Sequence, residues 1–191
     1  EKVKTPSETS VVFSGDRELY ENAKNDMYLA VALAVVLVYI VMAAQFESLR
    51  YPFIMMFSVP LMVIGVAISL WITNTLLGIT AVIGVLILIG IVVNNGIVLV
   101  SYINQKKEEG HATYDAILIS GQDRLRPILM TALTTMLGLV PLALGIGEGT
   151  EMNQPMAIVV IGGLITSTLL TLFIVPIIYS LIDKETRKVA S

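Results

Sequence analysis

Residues 76–103, "LLGITAVIGVLILIGIVVNNGIVLVSYI", run from Leu76 to Ile103 without one charged side chain. Coiled as an α-helix at about 1.5 Å per residue, the run outreaches a hydrocarbon layer of about 30 Å. A segment that long and that apolar reads as a transmembrane helix. Near its middle stand two adjacent carboxamides, Asn94 and Asn95. Each offers two donors and an acceptor oxygen with two lone pairs. Unmet in hydrocarbon, such groups cost on the order of several kcal/mol, so both are expected to face other helices rather than lipid.

The same reading extends outward. Four further apolar runs lie at about 27–45, 52–72, 127–147 and 155–182. Across its 191 residues the chain is 55% hydrophobic and 14% charged, well below the roughly 25% charge of soluble domains. A net charge of -3 implies no nucleic-acid partner. There is no cysteine, so thiolate chemistry and disulfides are excluded. The single histidine, His111, reads as a loop residue with no companion ligands, and no metal or other cofactor is expected. No nucleophile–base pair suggests an enzyme. The nine methionines are scattered and read as gap-fillers in packing rather than as a metal path.

Polar segments set the expected topology. Residues 1–26 form a polar piece with a strand-like "SVVFSG" at 10–15 and a charged helical lead-in, "DRELYENAKND", at 16–26. The chain starts at Glu1 and reads as a piece of a longer protein. Arg50, the Lys106–Arg126 segment and the 183–191 tail carry lysine or arginine, whereas the loops at 73–75 and 145–154 carry none. The positive-inside rule puts the three basic segments in the cytoplasm and residues 1–26 outside, in a multi-pass protein of the cytoplasmic membrane. Residues 113–124, with Thr113 as N-cap, are expected to form a short helix lying on the cytoplasmic membrane face. Pro52, Pro127 and Pro155 are expected in first turns of helices, and Pro60, Pro141 and Pro176 to kink or end spans. The expected fold is thus all-α: five transmembrane helices, a short interfacial helix and an extracytoplasmic N-terminal tail, with the lipid bilayer as partner. Small residues at helical spacing mark packing faces: Gly65 with Ser58, Met62 and Ser69, and Gly163 with Ser167 and Thr171.

One polar constellation lies within the spans. Gly90, Asn94, Ile97 and Ser101 share a helical stripe, with Gly90 a further packing glycine. On the fourth run Thr131, Thr135 and Gly138 share another, and Arg124 lies two turns before Thr131. Intramembrane polar groups tend to mark ion pathways, although a threonine hydroxyl is ordinarily satisfied by its own helix. Every acid beyond residue 26 lies in a loop or at a span end. A titrating carboxylate at membrane depth would have to come from other sequence.

Three stretches carry a resemblance: "YIVMAAQFESLRYPFIMMFSVPLMVIG", "GIVVNNGIVLVSYINQ" and "RLRPILMTALTTMLGLVPLAL". Together they resemble the C-terminal membrane half of resistance–nodulation–division (RND) efflux transporters, in the hydrophobe/amphiphile multidrug branch, over nearly the whole chain. The resemblance implies that these are the last five of about twelve spans, preceded by the end of a large porter domain at 1–26. It implies proton antiport, export of drugs, detergents or lipids, a homotrimer completed by the N-terminal half of the transporter, and a periplasmic adaptor protein. It places a relay arginine on Arg124 and a relay threonine on Thr131. It places the relay lysine of many members on Asn94, a departure, with Asn95 beside it. Asn94 and Asn95 resemble uncharged counterparts of the aspartate pair expected in the other half. The alternatives are a protein-export or lipid-handling member of the superfamily and a non-transporting membrane scaffold or sensor.

Overall fold

A computed structural model describes residues 16–56 and 58–182. The "SVVFSG" segment and the 183–191 tail lie outside the described residues. Among the described residues all regular structure is helical: α1 (Asp16–Phe46), α2 (Arg50–Met56), α3 (Ser58–Thr73), α4 (Ile79–Glu108), α5 (Thr113–Ala143), a 3₁₀ turn at Thr150–Met152, and α6 (Gln154–Ile182). Helices α2 and α3 together form one span, Tyr51–Thr73, and the others give Glu21–Phe46, Ile79–Glu108, Thr113–Ala143 and Gln154–Leu181, five helices long and apolar enough to cross a membrane. The connections at 47–49, 74–78 and 109–112 are short, which makes successive spans antiparallel neighbours.

Three of the stops follow directly from local sequence. After α4, Gly110 takes φ +95, its N–H bonds the Lys107 carbonyl at 3.0 Å, and the His111 N–H bonds that of Lys106 at 3.2 Å. After α5, Gly145 takes φ +68, with Gly145 N–H to Leu142 at 3.1 Å and Ile146 N–H to Pro141 at 3.1 Å. Asn74 at φ 50 ends α3 the same way, through Thr75 N–H to Leu70 at 3.1 Å. In each, a residue tolerant of the left-handed region lets the chain turn back and satisfy carbonyls that the helix leaves free. His111 is an exposed loop residue, as expected.

Helix α5 departs from expectation. No break separates residues 113–124 from the fourth span; they are the first turns of one 31-residue helix. At about 46 Å it is longer than the hydrocarbon layer, so its charged end can project beyond it. The N-cap is Ala112, not Thr113, which is the first helical residue and is buried. Pro127 is therefore a mid-helix residue rather than a first-turn one. It removes a single N–H, a loss that membrane helices tolerate. Pro60 instead falls in the first turn of α3, α5 stops two residues past Pro141, and α6 continues through Pro176.

The core is assembled around α6, which packs against α3, α4 and α5. A Cβ on Gly65 would stand 2.6 Å from the Gly162 carbonyl oxygen, and one on Gly162 would collide with Ser69. A Cβ on Gly163 would run into Leu88, and one on Gly84 would stand 2.8 Å from the Met156 carbonyl oxygen. Ser167 is buried and donates to its own helix at Leu164, 3.3 Å away. Gly90 corrects a sequence expectation: nothing lies within 4 Å of its missing Cβ, so it packs no helix among the described residues. Gly84 and Gly162 make the close approaches instead. Met42, Met55 and Met62 are fully buried in the core, Met55 lying over Gly96 with Cγ 3.4 Å from the missing Cβ. The outer surface is apolar, with Trp71 80%, Leu76 87% and Leu29 70% exposed, a liability in water and the ordinary condition in lipid.

This packing makes a contrast measurable. Gly162→Leu forces α3 off α6 and should cost about 1–3 kcal/mol. Gly121→Ala, at a site with open space around it, should be neutral or stabilising by up to about 1 kcal/mol. Thermal unfolding of the detergent-purified full-length protein checks both; equal melting temperatures would remove the close-approach account of α6.

Candidate functional site

The polar groups expected to act together lie on α4 and α5, which pack side by side. Successive residues of a helix point about 100° apart, and α4 uses that angle to divide its two asparagines. Asn95 turns inward and is 8% exposed, whereas Asn94 lies on the exposed face with Gly90 and Ser101. That face continues through Gln105 and Glu108 to the end of α4, where a polar cavity of about 330 Å³ is lined by Gln45, Glu47, Ser101, Asn104, Gln105 and Glu108. Its edge is fixed by Tyr179, buried on α6, which donates to Asn104 Oδ1 at 2.5 Å and stacks on Tyr51 at 5.7 Å.

Thr131 lies on the exposed face of α5. Its hydroxyl donates within its own helix, to the carbonyls of Pro127 at 3.2 Å and Ile128 at 3.0 Å. Thr134 and Thr135 do the same toward Met130 at 2.8 Å and Thr131 at 2.9 Å. Each hydroxyl oxygen keeps acceptor capacity for an outside donor. No hydrogen bond joins Asn94, Asn95, Arg124 and Thr131 to one another among the described residues.

Arg124 is half-buried, one turn beyond the fully buried Ser120. Its guanidinium carbon lies 4.2 Å from the centroid of the Tyr102 ring on α4. The Tyr102 hydroxyl donates to Asp123 Oδ2 at 3.0 Å, and Lys106 Nζ stands 5.3 Å from the same ring. Lys106 is otherwise engaged with Glu109 at 2.6 Å, a contact that holds the Glu109 carboxyl below its ordinary range. Arg124 Nε and Ser120 Oγ are both buried with no hydrogen-bond partner. The reading of the sequence missed Tyr102 and the Asn104–Tyr179 pair. The signal for Tyr102 was its place two turns beyond Asn95 on the same helix; nothing local tied Asn104 to Tyr179, 75 residues away.

A family model described as the AcrB/AcrD/AcrF family matches residues 1–183. The chain is 41% identical to a swarming motility protein of Bacillus subtilis over 98% of its own length and 18% of that protein's. It is 36% identical to a cobalt-zinc-cadmium resistance protein of Cupriavidus metallidurans, over 96% of this chain and 17% of that one. It is 38% identical to a multidrug resistance protein of Erwinia amylovora, over 96% and 18%. The crystal structure of a heavy metal efflux pump superposes with a TM-score of 0.78 at 32% identity, covering 88% of this chain and 16% of that one. The chain thus spans less than a fifth of the length of the curated relatives it matches. Relatives with metal and with multidrug names match about equally well, so the family is shown and its branch is not. With its five apolar spans and a family match over 183 of 191 residues, the chain belongs to the AcrB/AcrD/AcrF family of RND transporters, as a multi-pass segment of the inner membrane.

Proposed function

We propose that this chain supplies the energy-coupling face of a proton-driven RND efflux pump. The carrying observation is that Asn94 presents a carboxamide on an α4 face that no described helix covers, beside an α5 bearing Thr131 and the half-buried Arg124. A polar group left open at membrane depth calls for a partner from outside this bundle. In the proposal that partner is a carboxylate in the N-terminal half of the pump, accepting from Asn94 while ionised and donating a hydrogen bond to the Thr131 oxygen once protonated, with Arg124 favouring its ionised form through space. Asn95, turned inward, serves the bundle itself. The polar cavity at the end of α4 gives this face an aqueous connection to the cytoplasmic side. That side is set by the basic segments at Arg50, Lys106–Arg126 and Lys184. The working pump is a homotrimer with a periplasmic adaptor.

For the cargo, the proposal is hydrophobic or amphiphilic compounds, supported by the multidrug relatives. The similarity to the cobalt-zinc-cadmium resistance protein and to the heavy metal pump favours a second reading, divalent metal cations. Cells dependent on the full-length pump separate the two. Survival in amphiphilic dyes and detergents supports the first; survival confined to cobalt, zinc and cadmium overturns it in favour of the second.

Efflux against pH in energised vesicles tests the coupling. Asn94→Leu removes one hydrogen bond to an ionised carboxylate, worth about 0.6–2 kcal/mol, and so raises its pKa. The pH optimum should move up by about 0.5–1.5 units while the protein level stays normal. Asn94→Asp should also move it up, by like-charge repulsion. Asn95→Asp instead buries an acid among apolar neighbours and should lower the melting temperature. A wild-type pH profile in both Asn94 variants would reduce that residue to packing.

Sidedness has its own check. In a cysteine-free version of the full-length protein, Lys107→Cys should resist an impermeant thiol reagent in intact cells and react after the membrane is opened, whereas Glu151→Cys should react from outside. Labelling of position 107 in intact cells would invert the topology.

A further inference from the structure

We propose that Tyr102 is a positioning residue for Arg124: its ring carries the guanidinium, and its hydroxyl keeps the neighbouring acid away from it. This rests on the coupling role proposed above for Arg124.

The geometry makes the case from both ends of the tyrosine. At 4.2 Å from the ring centroid, the guanidinium lies well inside the range of a cation–π contact. Such a contact holds the cation through the ring's π cloud and consumes no N–H donor, whereas a bidentate carboxylate pair consumes two. The nearest acid in sequence that could form such a pair is Asp123. Its Oδ2 instead accepts the Tyr102 hydroxyl at 3.0 Å. One side chain on α4 therefore grips two adjacent residues of α5 and leaves the edge of the guanidinium free. Nε is buried without a partner, and no Arg124 N–H is bonded to another described residue.

The surrounding charges do not offer a substitute. On α4, Lys106 shares the ring at 5.3 Å and is bound to Glu109 at 2.6 Å. On α5, Asp123 is taken by Tyr102 and Arg126 is exposed. Helix α6 has no charged side chain, and its one titratable group, Tyr179, is bound to Asn104. Arg124 is thus held in place by an aromatic face, in a state fit to engage a carboxylate arriving from elsewhere in the pump. The alternative, a salt bridge within the bundle, would hold it as firmly and spend it.

The test measures efflux against pH with the full-length pump, at matched protein levels in the membrane. Tyr102→Leu should lower efflux about threefold to tenfold, the range a lost cation–π contact implies, and move the pH optimum upward, because a displaced Arg124 no longer favours the ionised carboxylate. Tyr102→Phe keeps the ring but releases Asp123 toward Arg124, so its efflux should fall between wild type and Tyr102→Leu, with a smaller upward shift of the pH optimum, and adding Asp123→Asn should restore it to within about twofold. In an Arg124→Lys background, Tyr102→Leu should add less than twofold, since lysine lacks the planar guanidinium that stacks on the ring. Should Tyr102→Leu fail to reach the membrane, Tyr102→Met replaces it. Wild-type behaviour of Tyr102→Leu, equal loss in the Leu and Phe variants, or multiplicative losses with Arg124→Lys would each overturn the positioning role. Arg124→Gln separates this failure from that of the coupling reading. Unchanged efflux there sinks the coupling role and this proposal with it. Loss there with Tyr102→Leu unaffected sinks only the proposal for Tyr102.

Discussion

The arrangement of the bundle depends on backbone approaching backbone along α6. Hydrocarbon tails are as apolar as leucine, so helices in lipid gain little from merely covering apolar surface; they associate where their shapes allow close contact. Gly162 and Gly163 provide two such faces on one turn, the first against Gly65 and Ser69 of α3, the second against Leu88 of α4 and Val66 of α3. Gly84 adds a third approach, with the α6 backbone at Met156. A side chain larger than hydrogen at Gly65, Gly84 or Gly162 separates the helices that they join, whereas at Gly163 the Leu88 side chain must move. Because α6 fixes α4 and α5 together, the polar groups of those two helices inherit their placement from glycines far away in sequence.

Occupying the inner side of α4 with α6 has a functional consequence. The opposite face stays open, and with it the stripe from Gly90 through Asn94 and Ser101 to Glu108. Helix α5 likewise presents Thr131 and Gly138 outward while burying Ile128 and Ala132. The two open faces bear Asn94, Ser101 and Thr131, and the two closed faces bear the packing, with Asn95 and Ser120 buried within it. An unbroken α5 also joins Arg124, near its charged beginning, rigidly to Thr131 two turns further on. A hinge between a surface helix and the fourth span would have let them move independently. One continuous rod makes any shift of Arg124 a shift of Thr131 as well.

Much of the candidate site was legible as residue types and little of it as geometry. Two carboxamides in an uncharged run are conspicuous because burying them costs energy, and Arg124 and Thr131 stand out on the same ground. Tyr102 did not stand out. A tyrosine near the end of a span is an ordinary interfacial residue, and only the approach of α5 turns its ring into a support for a cation. Gly90 misled for the related reason that a glycine on a stripe signals close packing only when a neighbour is there to pack. The break expected before Pro127 failed because a proline removes one N–H and fixes a φ that a helix already has, while the turns on either side keep their own bonds.

The sequence by itself determined that the chain carries five apolar runs long enough to cross a membrane, and what stops α3, α4 and α5 is equally local in the structure. These are local matters: run length sets the spans, and an asparagine or glycine able to adopt positive φ sets the stops at Asn74, Gly110 and Gly145. Only the tertiary structure decided that Asn95 turns in and Asn94 out, that Gly84 and Gly162 rather than Gly90 meet another helix, and that Arg124 rests on Tyr102. In a water-soluble helix the apolar stripe announces which side is buried. Here apolar residues lie on every side of every span, so hydrophobicity carries little orientation. The choice falls to steric fit between faces, and fit is a property of two helices at once.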